Sequence, residues 1–161
     1  MHRLKRDIRK STPEAQLRSF IDRFDPKDQT LIRSVRAAVR KRFPTANELA
    51  YDYYPSFVIA YSPTDRGIDA IVSITARAAG VDLYFNDGPQ LPDPKKLLMG
   101  SGKQTRFIRV EAASELTHPD VEALIAAAVD LATVPLASKG CGTLIIKSTA
   151  AKKRPHRRPA K

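Results

Sequence analysis

Residues 56–85 read SFVIAYSPTDRGIDAIVSITARAAGVDLYF, and this stretch decides the fold class. Ser56–Tyr61 is rich in β-branched and aromatic residues, and Ser62–Gly67 has the composition of a turn. Apolar and polar residues then alternate along Ile68–Thr75 and again along Val81–Phe85, which is typical of strands with one buried face. Strands that follow one another through short turns predict an antiparallel sheet.

On both sides of this stretch the apolar residues recur at helical spacing. Two helices are expected to begin at Ser11–Glu14 and at Asp25–Pro26, where a capping residue precedes a proline. A third is expected after Thr117–Pro119. Residues 105–110 form a further candidate strand, and residues 143–146 either add a short edge strand or pack as an arm. We therefore predict an α+β fold in which about five antiparallel strands pack against two N-terminal helices and one C-terminal helix.

The basic charge of the chain belongs to its two ends. The net charge is +11, but residues 1–10 carry five cations and one acid, and residues 148–161 carry six cations and no acid. The middle, residues 11–147, is left with +1, so we expect it to be a single, nearly neutral domain. Residues 1–10 are interpreted as a basic extension and residues 148–161 as a disordered basic tail. The cations of this tail are Lys152, Lys153, Arg154, Arg157, Arg158 and Lys161.

Composition also argues against several classes of protein. Cys141 is the single cysteine, so no internal disulfide forms, and a reducing compartment such as the cytoplasm is expected. The longest apolar run, residues 123–129, is far shorter than the ~20 residues that cross a bilayer, so no membrane partner is expected. No cysteine or histidine pair has metal-ligand spacing. No nucleophile or acid–base pair stands out, so the chain is predicted to be non-enzymatic and to hold no metal or cofactor.

Two segments stand out as candidates for a ligand site. The first is an aromatic cluster formed by Tyr51, Tyr53, Tyr54, Phe57 and Tyr61, with Asp52 among them. These rings either line a small-molecule pocket or fill the interface between helices and sheet. The second is Gly100-Ser101-Gly102-Lys103, followed by Arg106 and Arg109, which is either an anion-binding nest or a plain flexible loop. A phosphate-binding P-loop is not indicated, because Leu97 and Gln104 occupy positions where that motif needs Gly and Ser or Thr.

These segments also carry a family resemblance over roughly residues 14–132. Tyr51–Pro55 is an aromatic-x-x-x-Pro segment, and a Leu-x-Asp-Pro-x-x-Leu-Leu-x-Gly-x-Gly-Lys stretch follows from Leu91 to Lys103. The chain resembles the YdhG-like family, a domain of unknown function also catalogued as DUF1801. The resemblance implies a fold often compared with frataxin, and an iron-chaperone role proposed for some members.

Three functions are left open by the sequence. The first is a non-enzymatic module that binds a small ligand or a protein where Tyr51, Tyr53 and Tyr54 approach the Gly100–Lys103 loop. The second is weak, salt-sensitive binding of nucleic acid through the basic tail. The third is an intracellular iron chaperone of the frataxin type.

Overall fold

A computed structural model describes residues 11–148, which form three α-helices and one six-stranded sheet. The helices are α1 (Pro13–Ile21), α2 (Pro26–Arg42) and α3 (Pro119–Leu131). The strands are β1 (Asn47–Tyr53), β2 (Ser56–Ser62), β3 (Val72–Arg77), β4 (Gly80–Phe85), β5 (Arg106–Val110) and β6 (Leu144–Ser148). The predicted α+β class is confirmed.

The sheet is mixed, which corrects the prediction of about five antiparallel strands. Its order is β5-β4-β3-β2-β1-β6, and every neighbouring pair from β1 to β5 is antiparallel. β6 pairs with β1 in parallel, with Leu49 opposite Ile145. The parallel pairing follows from the connection, because the chain passes through α3 between β5 and β6 and returns to the far edge of the sheet.

The three helix starts differ in detail from the predicted caps. The side chain of Thr12 accepts a hydrogen bond from the backbone N–H of Ala15 at 3.1 Å, so within Ser11–Glu14 it is Thr12 that caps α1. Asp25 precedes α2 without a capping hydrogen bond from its side chain. At α3, Nδ1 of His118 accepts from the N–H of Asp120 at 3.2 Å. A proline opens each helix, as the sequence indicated.

All three helices pack on one face of the sheet and form a single main core with it. Leu17, Val35 and Leu124 represent the three helices in this core, and Phe57 and Phe85 represent the sheet. The strand alternation turns the other side chains to the opposite face, which no described helix covers. We call this second side the open face. The segment 63–71 covers one end of it, where Ala70 packs on Leu49 and Ala60.

Strand β1 directs its acidic side chains, rather than its large apolar side chains, toward the helices. Its acidic residues Glu48 and Asp52 point toward the helices and are 3% and 4% exposed. Its large apolar residues Leu49, Tyr51 and Tyr53 lie on the open face. Buried carboxylates need charged partners, and each pairs with an arginine, Glu48 with Arg36 of α2 and Asp52 with Arg23 of the turn after α1.

The basic ends predicted for residues 1–10 and 148–161 lie outside the described residues, apart from Ser148, which ends β6. Among residues 11–148, no helix is both long enough and apolar enough to cross a membrane.

Candidate functional site

The first predicted segment, Tyr51–Tyr54, forms the end of β1 and the turn into β2. The Nη2 atom of Arg23, in the turn that follows α1, donates to Oδ1 of Asp52 at 2.9 Å, and the backbone N–H of Tyr54 donates to the same oxygen at 3.0 Å. The guanidinium of Arg23 also lies over the ring of Tyr54, 4.9 Å from its centre. Asp52 and Tyr54 therefore fix the turn to α1.

The aromatic cluster is divided between the two faces of the sheet. Phe57 and Tyr61 are fully buried beneath the helices, as the interface interpretation expected. Tyr51 and Tyr53 lie on the open face with nearly parallel rings 6.2 Å apart. Tyr54 is 64% exposed on the helix side of the turn. The five rings therefore do not line one common pocket.

The second predicted segment, Gly100–Lys103, belongs to a loop that closes against β5. The carboxylate of Asp93 accepts the backbone N–H groups of Leu97 and Leu98, both at 2.9 Å. Met99 then pairs with Phe107 through two backbone hydrogen bonds. The Asp-Pro and Leu-Leu positions of the resemblance thus hold the loop in shape, while Ser101, Gly102 and Lys103 are exposed at its tip.

The two segments do not approach each other, which corrects the predicted joint site. β1 and β5 are separated by three strands, so they lie roughly 19 Å apart at about 4.8 Å per strand. Tyr53 also lies at the end of the sheet next to Ser56 and Arg77, whereas Gly100–Lys103 precedes Arg106 at the other end. Ligand binding at either segment alone stays a prediction.

The two arginines of the predicted site already have partners. A side-chain nitrogen of Arg106 donates to the carbonyl oxygens of Gly102 and Thr105, so it holds the loop. On the open face, Nε of Arg109 donates to Oδ1 of the fully buried Asp82 at 2.6 Å, and this bond raises the pKa of Arg109. Arg77 donates to Oδ2 of Asp82 at 2.5 Å from the other side.

A groove between α1 and α2 is a concave site lined by five charged side chains. It has a volume of about 290 Å³ and a floor formed by Leu17, Ile21 and Ala37. Four arginines and one acid form its walls, giving a net charge of +3. They are Arg18, Arg33, Arg36, Arg40 and Glu14. We call this site the arginine groove.

Arg36 is fixed at the bottom of the arginine groove by two carboxylates. Its Nε and Nη2 donate to the buried Glu48 at 2.9 and 2.8 Å, and its Nη1 and Nη2 donate to Glu14 at 3.1 and 2.9 Å. The hydroxyl of Tyr61 donates to Glu48 at 2.7 Å, and Nε of Arg40 lies 3.5 Å from the same carboxylate. The guanidinium of Arg36 is thus held in one orientation from α2 to the sheet.

The contacts within this network shift the pKa values of three groups: the pKa of Glu14 is lowered, and those of Arg36 and Tyr61 are raised. The hydrogen bond from Arg36 lowers the pKa of Glu14. Burial opposes the charge on Arg36, but its bonds to Glu48 and Glu14 raise its pKa overall. Burial, and then the Glu48 carboxylate, raise the pKa of Tyr61 well above its ordinary value. The arginine groove therefore stays cationic across the physiological range.

The arginine groove was not predicted from the sequence as a binding site. The arginines of α2 recur every three or four residues at Arg33, Arg36 and Arg40, which places them on one helix face, but that pattern is typical of any solvated face. The informative signal was an unexplained acid, Glu48, directly before the apolar residues Leu49 and Ala50 of β1.

Metal binding gains no support from the described residues. No group of three or more His, Cys, Asp or Glu side chains within residues 11–148 is arranged to hold a metal ion. The acids of the first helices are engaged instead, because Glu14 pairs with Arg36 and Asp22 lies 3.7 Å from Arg33. Cys141 is exposed in the segment before β6.

The chain matches no protein-family description, no curated protein and no solved structure. The resemblance to the YdhG-like family therefore rests on residues of this sequence alone and stays a prediction. The arginine groove, with its four arginines and one acid, is the described site whose geometry supports a function.

Proposed function

We propose that this chain is a non-enzymatic binding module whose ligand is a small polyanion held in the arginine groove. The observation that carries the proposal is the convergence of four guanidinium groups on one groove whose lining contains a single acid. Guanidinium groups bind carboxylates and phosphates through paired hydrogen bonds, and they keep their charge at any physiological pH. Such a lining holds anions rather than transferring protons, which supports binding over catalysis.

Three of the arginines are available at the rim of the groove. Arg18, Arg33 and Arg40 are exposed, and the ion pairs that Arg33 and Arg40 make with exposed acids are long, 3.7 Å to Asp22 and 3.9 Å to Glu14. Arg40 also lies 3.5 Å from the buried Glu48. Pairs of this length between exposed groups contribute at most about 1 kcal/mol, so an incoming anion displaces them at little cost.

Glu14 is the internal competitor for the ligand. Its side chain is 54% exposed, yet it occupies two donor positions of Arg36 that face the groove. A phosphate or carboxylate ligand would take over these donors while Glu14 turns to solvent. Glu48 is buried behind Arg36 and keeps it oriented throughout the exchange.

The proposal is tested by calorimetry with pyrophosphate at low ionic strength, with glucose as a neutral control. Arg40→Gln removes a rim charge and is expected to weaken binding by roughly tenfold, which corresponds to about 1.4 kcal/mol. Glu14→Gln removes the competing carboxylate and is expected to tighten binding severalfold.

Arg42→Gln is the matched control, because Arg42 lies on the same helix but pairs with Glu122 of α3 outside the groove. Its affinity for pyrophosphate should equal that of the wild type. No heat of binding in the wild type, or equal losses for Arg40→Gln and Arg42→Gln, would show that the groove is not the site.

The other predicted functions have less support. Membership in the YdhG-like family, with its frataxin-like arrangement of two N-terminal helices, a sheet of about five strands and a C-terminal helix, is compatible with the proposal and remains a prediction. No described cluster of acids favours iron. Nucleic-acid binding through the tail concerns residues outside the described part of the chain.

A further inference from the structure

The open face carries two pairs of aromatic rings, one toward each edge of the sheet. Tyr84 of β4 lies opposite Phe107 of β5, and their rings stack with centres 4.8 Å apart. Tyr51 and Tyr53 form the second pair on β1, with an angle of 9° between the ring planes. Tyr53 is 46% exposed. Aromatic rings on a sheet face without helices are available for stacking against a flat partner.

Between the two pairs the sheet carries small side chains. β1 and β4 are separated by β2 and β3, so these two strands lie about 14 Å apart across three strand spacings. Tyr84 is level with Leu49, so the two pairs are also displaced from each other along the strands. Apart from Arg77, which extends from β3 to Asp82 of β4, the open-face side chains of β2 and β3 in this interval are no larger than valine. They are Ser56, Val58, Ser73 and Thr75, and all are partly exposed. The result is a shallow trough, which we call the aromatic trough, with rings on both sides and mainly hydroxyl groups along its floor.

Cations flank the aromatic trough. Arg77 and Arg109 share the one carboxylate of Asp82, which leaves a net charge of +1, and their side chains are 41% and 34% exposed. Lys147 on β6 adds a cation at the opposite edge. Ser148, the last residue of β6, lies opposite Tyr51, and the sequence that follows it contains six cations and no acid.

We propose that the aromatic trough binds single-stranded nucleic acid. Unpaired bases stack on exposed tyrosine and phenylalanine rings, and sheets with such rings hold two or three bases in this way. Serine and threonine hydroxyls hydrogen-bond to bases and phosphates, and flanking arginines neutralise the backbone. A duplex buries its bases between neighbouring pairs, so it cannot use these rings. The site lies on the opposite side of the sheet from the arginine groove and is independent of it.

The test measures fluorescence anisotropy of a labelled twelve-nucleotide oligothymidylate and of a twelve-base-pair duplex with the full chain. The wild type is expected to bind the single strand at least tenfold more tightly than the duplex. Tyr53→Ala and Tyr84→Ala should each weaken single-strand binding by roughly tenfold, since one stacked base contributes about 1–3 kcal/mol. Duplex binding should not change in either variant.

Tyr54→Ala is the matched control, because Tyr54 is the most exposed tyrosine of the same hairpin but lies on the helix side. It should bind the single strand like the wild type. Circular dichroism checks the fold of each variant. Should Tyr84→Ala fail to fold, Tyr53→Ala and the quenching of wild-type tyrosine fluorescence by the oligonucleotide still decide the question.

Three results would overturn the proposal. Equal affinity for single strand and duplex would mean that the basic tail alone binds. Unchanged single-strand binding in both tyrosine variants would place the nucleic acid elsewhere, and a loss in Arg40→Gln would place it in the arginine groove. No binding to either oligonucleotide at 50 mM salt would leave the open face to a protein partner.

Discussion

Replacing Arg36 by methionine should be among the most damaging single changes on α2. Glu48 is 3% exposed and would lose both of its hydrogen bonds from Arg36, at 2.8 and 2.9 Å. It would keep the bond from Tyr61 and a longer contact with Arg40 at 3.5 Å. Glu14 is half exposed and would return to water. Removing one partner of a buried ion pair costs about 3–5 kcal/mol, and the remaining contact with Arg40 favours the lower value.

The measurement is urea unfolding followed by circular dichroism. With a denaturant dependence of about 2 kcal/mol per molar urea, a loss of about 3 kcal/mol lowers the midpoint by about 1.5 M. Arg33→Met is the matched control, because Arg33 lies 3.7 Å from Asp22 and both are half exposed. It should lower the midpoint by less than about 0.5 M.

A triple variant separates two contributions to the free energy of unfolding: the cost of leaving Glu48 unpaired, and the net contribution of the whole hydrogen-bonded network. Arg36→Met, Glu48→Met and Tyr61→Phe together replace the buried polar groups by apolar ones of similar size. Such replacements are often neutral or stabilising, so the midpoint should return to within about 0.5 M of the wild type. If the triple variant is as unstable as Arg36→Met, or if Arg36→Met unfolds like the wild type, an unpaired Glu48 is not the source of the instability.

Three further predictions concern pH and backbone packing. Arg36 lowers the pKa of Glu14 in the folded state, so ionised Glu14 stabilises the fold above its ordinary pKa of 4.5, and this stabilisation is lost as the pH falls below that value. In thermal melting, Glu14→Gln should therefore lose less stability between pH 5 and 3 than the wild type does. Burial raises the pKa of Tyr61, so the stabilisation by its neutral phenol is complete below pH 10.0 and declines as the pH rises beyond that value. Tyr61→Phe should be less stable than the wild type by about 1–2 kcal/mol at pH 7, because it loses the hydrogen bond to Glu48. At alkaline pH the variant should resist unfolding better than the wild type, because phenylalanine does not ionise. A Cβ at Gly142 would lie 1.6 Å from the carbonyl oxygen of Ala46, so Gly142→Ala should lower the melting temperature by several degrees, whereas Gly102→Ala, with its nearest contact at 3.5 Å, should leave it unchanged.

The helices and the strands from β2 to β5 could be predicted because their sequences carry their own pattern. Prolines open each helix, and the alternation of Val72–Thr75 and of Val81–Phe85 matches the buried face that the structure has. The start of β3 was placed too early, since Gly67–Asp69 forms a short 3₁₀ turn and Ile68 is exposed. Local periodicity cannot separate a turn that follows the same alternation from the strand that continues it.

β1 escaped recognition as a strand because its inward residues are acids. Glu48 and Asp52 break the expected alternation, and they are stable as core residues only because they pair with Arg36 of α2 and with Arg23 of the turn after α1. The joint site between Tyr54 and the Gly100–Lys103 loop failed for a related reason. Sequence shows which segments are rich in rings or glycines, whereas their distance depends on strand order, which local patterns do not encode.

The parallel pairing of β6 with β1 has a consequence for the order of folding. Asn47 and Thr143 meet across 96 residues of chain, so β1 is synthesised long before its outer neighbour exists. Until then β1 is an unprotected edge strand, with Leu49, Tyr51 and Tyr53 on its open face, and edges of this kind promote association between chains. Docking of β6 is thus a late step that covers the edge of β1, and β6 itself then becomes the edge strand of the sheet.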